Sequence, residues 1–175
     1  MLMISLLEID RKKQHSHAHS LLRECLKPYG IDYSENTPVT KNKYGKPSLT
    51  EHPEINYNIS HADGIAACIV SERVCGIDCE RIKAYRPKIM SRVFDDSETA
   101  MVESLSGYDR DMMFFRLWTL KEAFVKAVGQ GISYPMKEVV FSFDGDNISC
   151  SVSGYDFRQY IIRNEYIVSV AVRCR

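Results

Sequence analysis

Three acids and one base stand out by type and spacing. Trp118, Glu122 and Lys126 recur at i, i+4 and i+8 in residues 116–127, so a helix there sets them in one row along its surface. The rest of that stretch is apolar over most of its circumference. A carboxylate and an ammonium are costly among aromatic side chains unless something pairs with them. A helical Glu-to-Lys pair alone contributes only about 0.2–0.5 kcal/mol, so a further partner is expected from elsewhere in the chain. Asp78 and Glu80, at i and i+2 in an apolar strand-like run, point to the same side.

Three carboxylates brought together raise one another's pKa unless a cation sits between them. Convergent oxygens from Asp78, Glu80 and Glu122 suit Mg²⁺, which takes hard oxygen ligands and commonly bridges carboxylates to substrate phosphates. Lys126, one turn beyond Glu122, is then placed to neutralise phosphate charge or to protonate a leaving group. Ser60, His61, Lys121 and Lys46, the last on the stiff turn Gly45-Lys46-Pro47, supply donors for further phosphates. Each signal has a plainer alternative. A lone Asp-x-Glu on a strand is more often a solvated edge, and a histidine after a strand more often caps a turn. Nothing in the periodicity shows that strand and helix meet.

The elements that must position these groups follow from hydrophobic spacing. Residues 3–9 predict a first strand and 14–28 an amphipathic helix with Leu21, Leu22, Cys25 and Leu26 inward, ended by Pro28 and Gly30. Residues 32–54 are turn-rich and predict surface loop. Residues 55–60 alternate like a strand, with Ile55, Tyr57 and Ile59 on one face. Residues 65–70 and 74–80 predict a hairpin through Ser71-Glu72-Arg73. Residues 88–128 predict helices, with a loop near Ser106-Gly107-Tyr108, a cap at Ser97 and a stop at Gly129. Strands are expected near 138–143, 148–152, 157–163 and 166–172, the first two joined through Asp144-Gly145-Asp146-Asn147.

Acidic and basic residues balance at 23 each, so no global field draws the chain to nucleic acid or an anionic membrane. No apolar run approaches the roughly 20 residues of a membrane helix, and residues 1–9 are too short and too interrupted by acids for a signal peptide. The six cysteines contain no C-x-x-C pair and read as small core residues of a reduced, cytoplasmic protein. His15, His17 and His19 alternate, but i, i+2 residues on a helix do not share a face, so surface histidines are the simpler reading.

Asn58-Ile59-Ser60-His61, Gly76-Ile77-Asp78-Cys79-Glu80 and Trp118-Thr119-Leu120-Lys121-Glu122-Ala123-Phe124-Val125-Lys126-Ala127 occur in the order and spacing of the 4′-phosphopantetheinyl transferases. The chain resembles the surfactin-synthetase-activating type. Tyr44-Gly45-Lys46-Pro47, Ser91-Arg92-Val93-Phe94 and Gly129-Gln130-Gly131-Ile132-Ser133 resemble further blocks of that family. The similarity covers residues 42–135, with weaker agreement in the terminal strands.

The resemblance implies an α+β fold of two pseudo-twofold-related halves, about 1–75 and 76–175 of one domain spanning 1–175, with coenzyme A between them. It implies Mg²⁺ on Asp78, Glu80 and Glu122, coenzyme phosphates on Lys46, Ser60 and His61, and Lys126 in the transfer step, with Glu122 or a metal-bound water as the base. The implied reaction moves phosphopantetheine from coenzyme A to a serine of an apo acyl or peptidyl carrier protein and releases 3′,5′-ADP. A single chain holding both halves implies a monomer.

The first half is short, lacking a basic helical segment that relatives carry. His19-Ser20 stands where a basic residue followed by Ser or Thr is common, and Ala62 replaces a hydroxyl residue. Altered recognition of the coenzyme 3′-phosphate is therefore expected. The rival within the fold is a coenzyme A-binding module with little transferase activity. Another Mg²⁺-dependent nucleotide phosphotransferase is disfavoured, because no G-x-x-x-x-G-K-[ST] loop is present.

Overall fold

The computed structural model describes residues 1–6 and 11–175. Two three-stranded antiparallel sheets form its centre. The first contains β1 (Leu2–Leu6), β4 (Asn56–Ala62) and β5 (Ile65–Ser71) in the order β1-β5-β4. The second contains β6 (Cys75–Arg81), β9 (Tyr155–Ile162) and β10 (Tyr166–Arg173) in the order β6-β10-β9. Both follow one rule: the first strand of the set, then the last, then the penultimate. Each carries a helix over one face, α1 (Arg11–Leu26) on the first and α4 (Gly107–Val128) on the second. This mixture of helices and antiparallel sheets is α+β, as expected.

The sheets face each other across a layer of Ile65, Ala67, Ile69, Cys75, Ile77, Cys79, Val168 and Val170. Separate cores lie under α1, around Leu22, Cys25, Leu26 and Tyr57, and under α4, around Leu117, Leu120, Phe124, Phe141 and Ile167. Both faces of each central sheet are thus covered, which explains why β5 and β10 read as nearly continuous apolar runs.

The helical segment resolves into α2 (Pro87–Val93), α3 (Asp96–Glu103) and α4. Asp95, not Ser97, caps α3: its carboxylate accepts from the Glu98 amide, and Glu98 returns a bond to the Asp95 amide. Gly129 closes α4 in the left-handed conformation at φ 77°. The turn Gly145-Asp146 joins β7 (Phe141–Asp144) to β8 (Asn147–Cys150), as expected.

Other expectations change or fall outside the described residues. The expected loop at 32–54 contains a short hairpin, β2 (Val39–Lys41) with β3 (Pro47–Leu49). The expected hairpin through Ser71-Glu72-Arg73 does not form. β5 pairs with β1 and β4, while β6 pairs with β10, so the chain crosses there from one sheet to the other. The first strand is described only to Leu6; the rest of the predicted 3–9 run lies outside the described residues. All six cysteines are free: Cys25, Cys68, Cys75 and Cys79 are core residues as expected, whereas Cys174 is exposed.

Candidate active site

β6 and α4 meet because Gly76 has no side chain. A Cβ built there would lie 2.1 Å from the Ala123 carbonyl oxygen and 2.4 Å from the Ala127 nitrogen, so only glycine permits the contact. α4 is also tied to the neighbouring strand, where the buried Thr119 hydroxyl lies 2.7 Å from Ser169 Oγ on β10. With the helix set this way, Trp118, Glu122 and Lys126 form its partly exposed row between buried neighbours, and that row faces the carboxylates of β6.

Lys126 Nζ donates to Asp78 Oδ1 at 2.6 Å and to Ser60 Oγ at 3.1 Å. The Asp78 side chain is 8% exposed and that of Lys126 29%, so the pair meets solvent chiefly through the lysine. Burial works to neutralise Lys126, but the charge and hydrogen bond of Asp78, helped by Glu122, raise its pKa and hold it cationic. The second Asp78 oxygen, Oδ2, is buried without a hydrogen-bond partner.

Glu122 completes the row. Burial first, then the Asp78 charge, push its carboxyl up to about 7, against the opposing pull of Lys126. Burial and the Asp78 charge also raise Glu80, opposed by Lys83, whose Nζ reaches Glu80 Oε2 at 3.4 Å. The three acids therefore share one electrostatic neighbourhood. Among the described residues, however, no three His, Cys, Asp or Glu side chains converge closely enough to enclose a cation. Lys126 supplies the positive charge at Asp78. The orphaned Asp78 oxygen beside two carboxylates of raised pKa nonetheless fits the hard-oxygen donor set of a divalent ion.

The other predicted site residues divide. His61 is exposed on β4, with its ring centre 5.8 Å from that of His15, and burial together with His15 and Lys126 lowers its pKa. Lys121 does not reach the site. It is 0% exposed, pairs with Glu98 at 2.7 Å and donates to the Met136 and Val139 carbonyls, so its three N–H groups are all committed. Burial lowers its pKa, against the hydrogen bond and charge of Glu98. The expectation that Lys121 contacts coenzyme phosphates is corrected accordingly: at i−1 from Glu122 it lies about 100° around the helix and faces the core beside Glu98.

Ser60 and Lys46 are also engaged within the protein. The Ser60 hydroxyl donates to Asp78 Oδ1 at 3.0 Å and accepts from Lys126 Nζ and, at 3.2 Å, from the Cys79 amide. One donor and two acceptor sites are all a hydroxyl has, so the geometry leaves it nothing for a phosphate. Lys46 donates to the Cys75 carbonyl at 3.2 Å and the Ala127 carbonyl at 2.5 Å, leaving one N–H free. Sequence reasoning missed the contacts of three further residues. Asn58 accepts from the Ile77 amide at 2.9 Å, and His15 and His19 stack edge-on at 4.6 Å; the i, i+4 spacing of that pair was the available signal.

The family profile of the 4′-phosphopantetheinyl transferase superfamily matches residues 74–171, more than half of the chain, and spans Gly76, Asp78, Glu122, Lys126 and Ser169. The chain belongs to this superfamily. Among its transferase relatives, the 4′-phosphopantetheinyl transferase gsp of Aneurinibacillus migulanus is 38% identical over 103 residues, 59% of this chain and 43% of that protein. The 4′-phosphopantetheinyl transferase Sfp of Bacillus subtilis (strain 168) is 32% identical over 108 residues, 62% of this chain and 48% of that protein. The chain thus spans about half the length of the curated relatives it matches. A solved holo-(acyl-carrier-protein) synthase from Bacillus anthracis, in complex with CoA (3′,5′-ADP), is 23% identical with a TM-score of 0.47, over 57% of this chain and 93% of that one.

Proposed function

We propose that this chain transfers the 4′-phosphopantetheine group of coenzyme A to a serine of an apo acyl or peptidyl carrier protein. The observation that carries the reading is the Asp78–Lys126 pair, with a buried, unpartnered carboxylate oxygen on one side and Glu122, held near neutrality, one helical turn away. Family membership supplies the reaction class; the site supplies charges of both signs where a pyrophosphate and a hydroxyl must meet.

In this reading the serine oxygen attacks the β-phosphorus of coenzyme A. The P–O bond to 3′,5′-ADP breaks, and the serine proton leaves. Lys126 has one N–H not used by Asp78 or Ser60, and it meets the phosphate oxygens on which charge builds. Glu122, whose carboxyl is raised to about 7 while no cation is bound, is one acceptor for the serine proton, and a water at the metal site is the other. His61, exposed at the end of β4, is available to an anionic group of the coenzyme. Asp78, Glu80 and Glu122 would hold Mg²⁺, whose contribution when bound is to offset pyrophosphate charge.

No helix among the described residues is long and apolar enough to cross a membrane. Free thiols in every cysteine position favour a reducing compartment, the cytoplasm. Both sheets come from one chain, which favours a monomer.

The test is intact mass of apo carrier proteins of the fatty-acid, polyketide and peptide classes after incubation with this protein, coenzyme A and Mg²⁺. A phosphopantetheine mass gain that Glu122→Ala abolishes supports the transferase. Coenzyme A binding by calorimetry with no gain on any carrier supports a binding module instead. Neither binding nor gain removes both.

A further inference from the structure

β6 is an edge strand on one side. Its ladder partner is β10, and its other edge, that of Cys75, Ile77 and Cys79, turns toward β4. Residues i, i+2 and i+4 of a strand send their amides and carbonyls to the same side, and an unpaired row of such groups, buried here, would be costly. β4 does not pair with it as a strand: no ladder joins the two sheets. Instead, side chains take three of the six groups in the row. Lys46 Nζ donates to the Cys75 carbonyl, Asn58 Oδ1 accepts from the Ile77 amide, and Ser60 Oγ accepts from the Cys79 amide.

We infer that Lys46, Asn58 and Ser60 form a polar seam that fastens the two sheets, and that Ser60 is a positioning residue for Asp78 and Lys126 rather than a group that binds the substrate. Each of the three comes from the first half of the chain, and each satisfies a backbone group of β6. The spacing matches: Asn58 and Ser60 at i and i+2 of β4 meet Ile77 and Cys79 at i and i+2 of β6. Lys46 also spans to the Ala127 carbonyl in the last turn of α4, so one ammonium ties together the β2–β3 hairpin, β6 and the helix that carries Lys126. Asn42 repeats the tie, donating from Nδ2 to the Gly129 carbonyl at 2.9 Å and accepting the Lys46 amide.

Ser60 differs from its two companions because its hydroxyl also touches both members of the ion pair. The bond to Asp78 Oδ1 and the acceptance from Lys126 Nζ fix where the carboxylate and the ammonium meet.

Amide hydrogen exchange and binding together test the seam. Ser60→Ala is expected to speed exchange of the Cys79 amide by about tenfold or more while leaving that of Ile77 protected, and Asn58→Ala to do the reverse. Coenzyme A affinity, read by calorimetry, is expected to stay within about twofold in Ser60→Ala. The kinetic arm rests on the transferase reading: kcat falls about 10- to 100-fold in Ser60→Ala and markedly less in Asn58→Ala, with KM for coenzyme A unchanged in both. Affinity lost at least tenfold in Ser60→Ala with the Cys79 amide still protected would overturn the inference and make Ser60 a ligand group. Equal loss of kcat in the two variants would overturn the positioning role. Should the wild-type protein bind no coenzyme A, the transferase reading fails, and the exchange pattern alone decides the seam. Should Ser60→Ala not fold, Asn58→Ala decides it at the Ile77 amide.

Discussion

Lys126 holds one oxygen of Asp78 at 2.6 Å while the other oxygen of the same carboxylate is buried without a partner. An ion pair that used both oxygens would be a closed structural bridge; this one keeps a lone-pair site in reserve. Lys126→Met removes the cation and leaves Asp78 buried beside two other acids. Because the Lys126 side chain is 29% exposed, water offsets part of the loss, and the expected cost is about 1–3 kcal/mol in denaturant unfolding. Transfer activity should fall by a further factor of about 10² or more at saturating coenzyme A, since the lost N–H acts on charge that builds only during reaction. A variant that loses stability but keeps kcat would reduce Lys126 to a scaffold residue.

Glu122 gives the metal-free protein a pH signature. Its folded pKa, about 7, lies above the ordinary 4.5, so between those values the folded state binds more protons than the unfolded one. Stability should therefore be greatest below about 4.5 for this group and decline as pH rises through 7, by on the order of 3 kcal/mol. Glu80 and Glu98, both raised, act in the same direction, while His19 and His61, both lowered, act oppositely. The difference between wild type and Glu122→Gln isolates the effect. Urea midpoints in EDTA at pH 5 and 8 should show the variant gaining relative to wild type at the higher pH. Parallel curves would mean that Glu122 titrates normally.

The sequence showed the row on α4 and the same-side acids on β6 because both rest on local periodicity. It could not show that these faces meet, which depends on Gly76, a residue whose role is the absence of an atom. The polar residues of β4 were read from type rather than from partners. Ile55, Tyr57 and Ile59 marked one inner face, but Asn58 and Ser60 on the other are buried as well, against amides that carry no mark in sequence. The hairpin expected at 71–73 does not form for a related reason: β5 and β6 are adjacent in the chain and both apolar, but β5 pairs with β1 and, across a two-residue turn, with β4, while β6 pairs with the distant β10. Lys121 was the most misleading residue. It sits beside a site residue in a motif-rich stretch, and only its three-dimensional partners reveal that it serves the core.

That core role yields its own test. Lys121 and Glu98 are both 0% exposed, and Glu98 also accepts the Phe141 amide at 2.9 Å while its other oxygen caps α3. Lys121→Met strands a buried carboxylate and should cost about 3–5 kcal/mol. Pairing it with Glu98→Gln, which keeps a carbonyl oxygen as acceptor, should recover a large part of that loss. Thermal unfolding of the two single variants and the double variant measures the coupling. Strict additivity would show that the ammonium and carboxylate do not depend on each other. Coenzyme A affinity should stay unchanged wherever the fold survives.

Gly76 is the point where fold and site are one problem. In Gly76→Ala the added carbon would lie 2.1 Å from the Ala123 oxygen and 2.4 Å from the Ala127 nitrogen, both backbone atoms that cannot swing aside. β6 or α4 must shift, at about 3 kcal/mol or more. The shift separates Asp78 on the strand from Lys126 on the helix, since Ala123 and Ala127 flank the turn that carries that lysine. The variant should therefore lose transfer activity beyond what its unfolded fraction explains, measured at a temperature well below its own midpoint. If activity per folded molecule is retained, the site tolerates displacement of β6, and the close approach serves stability alone.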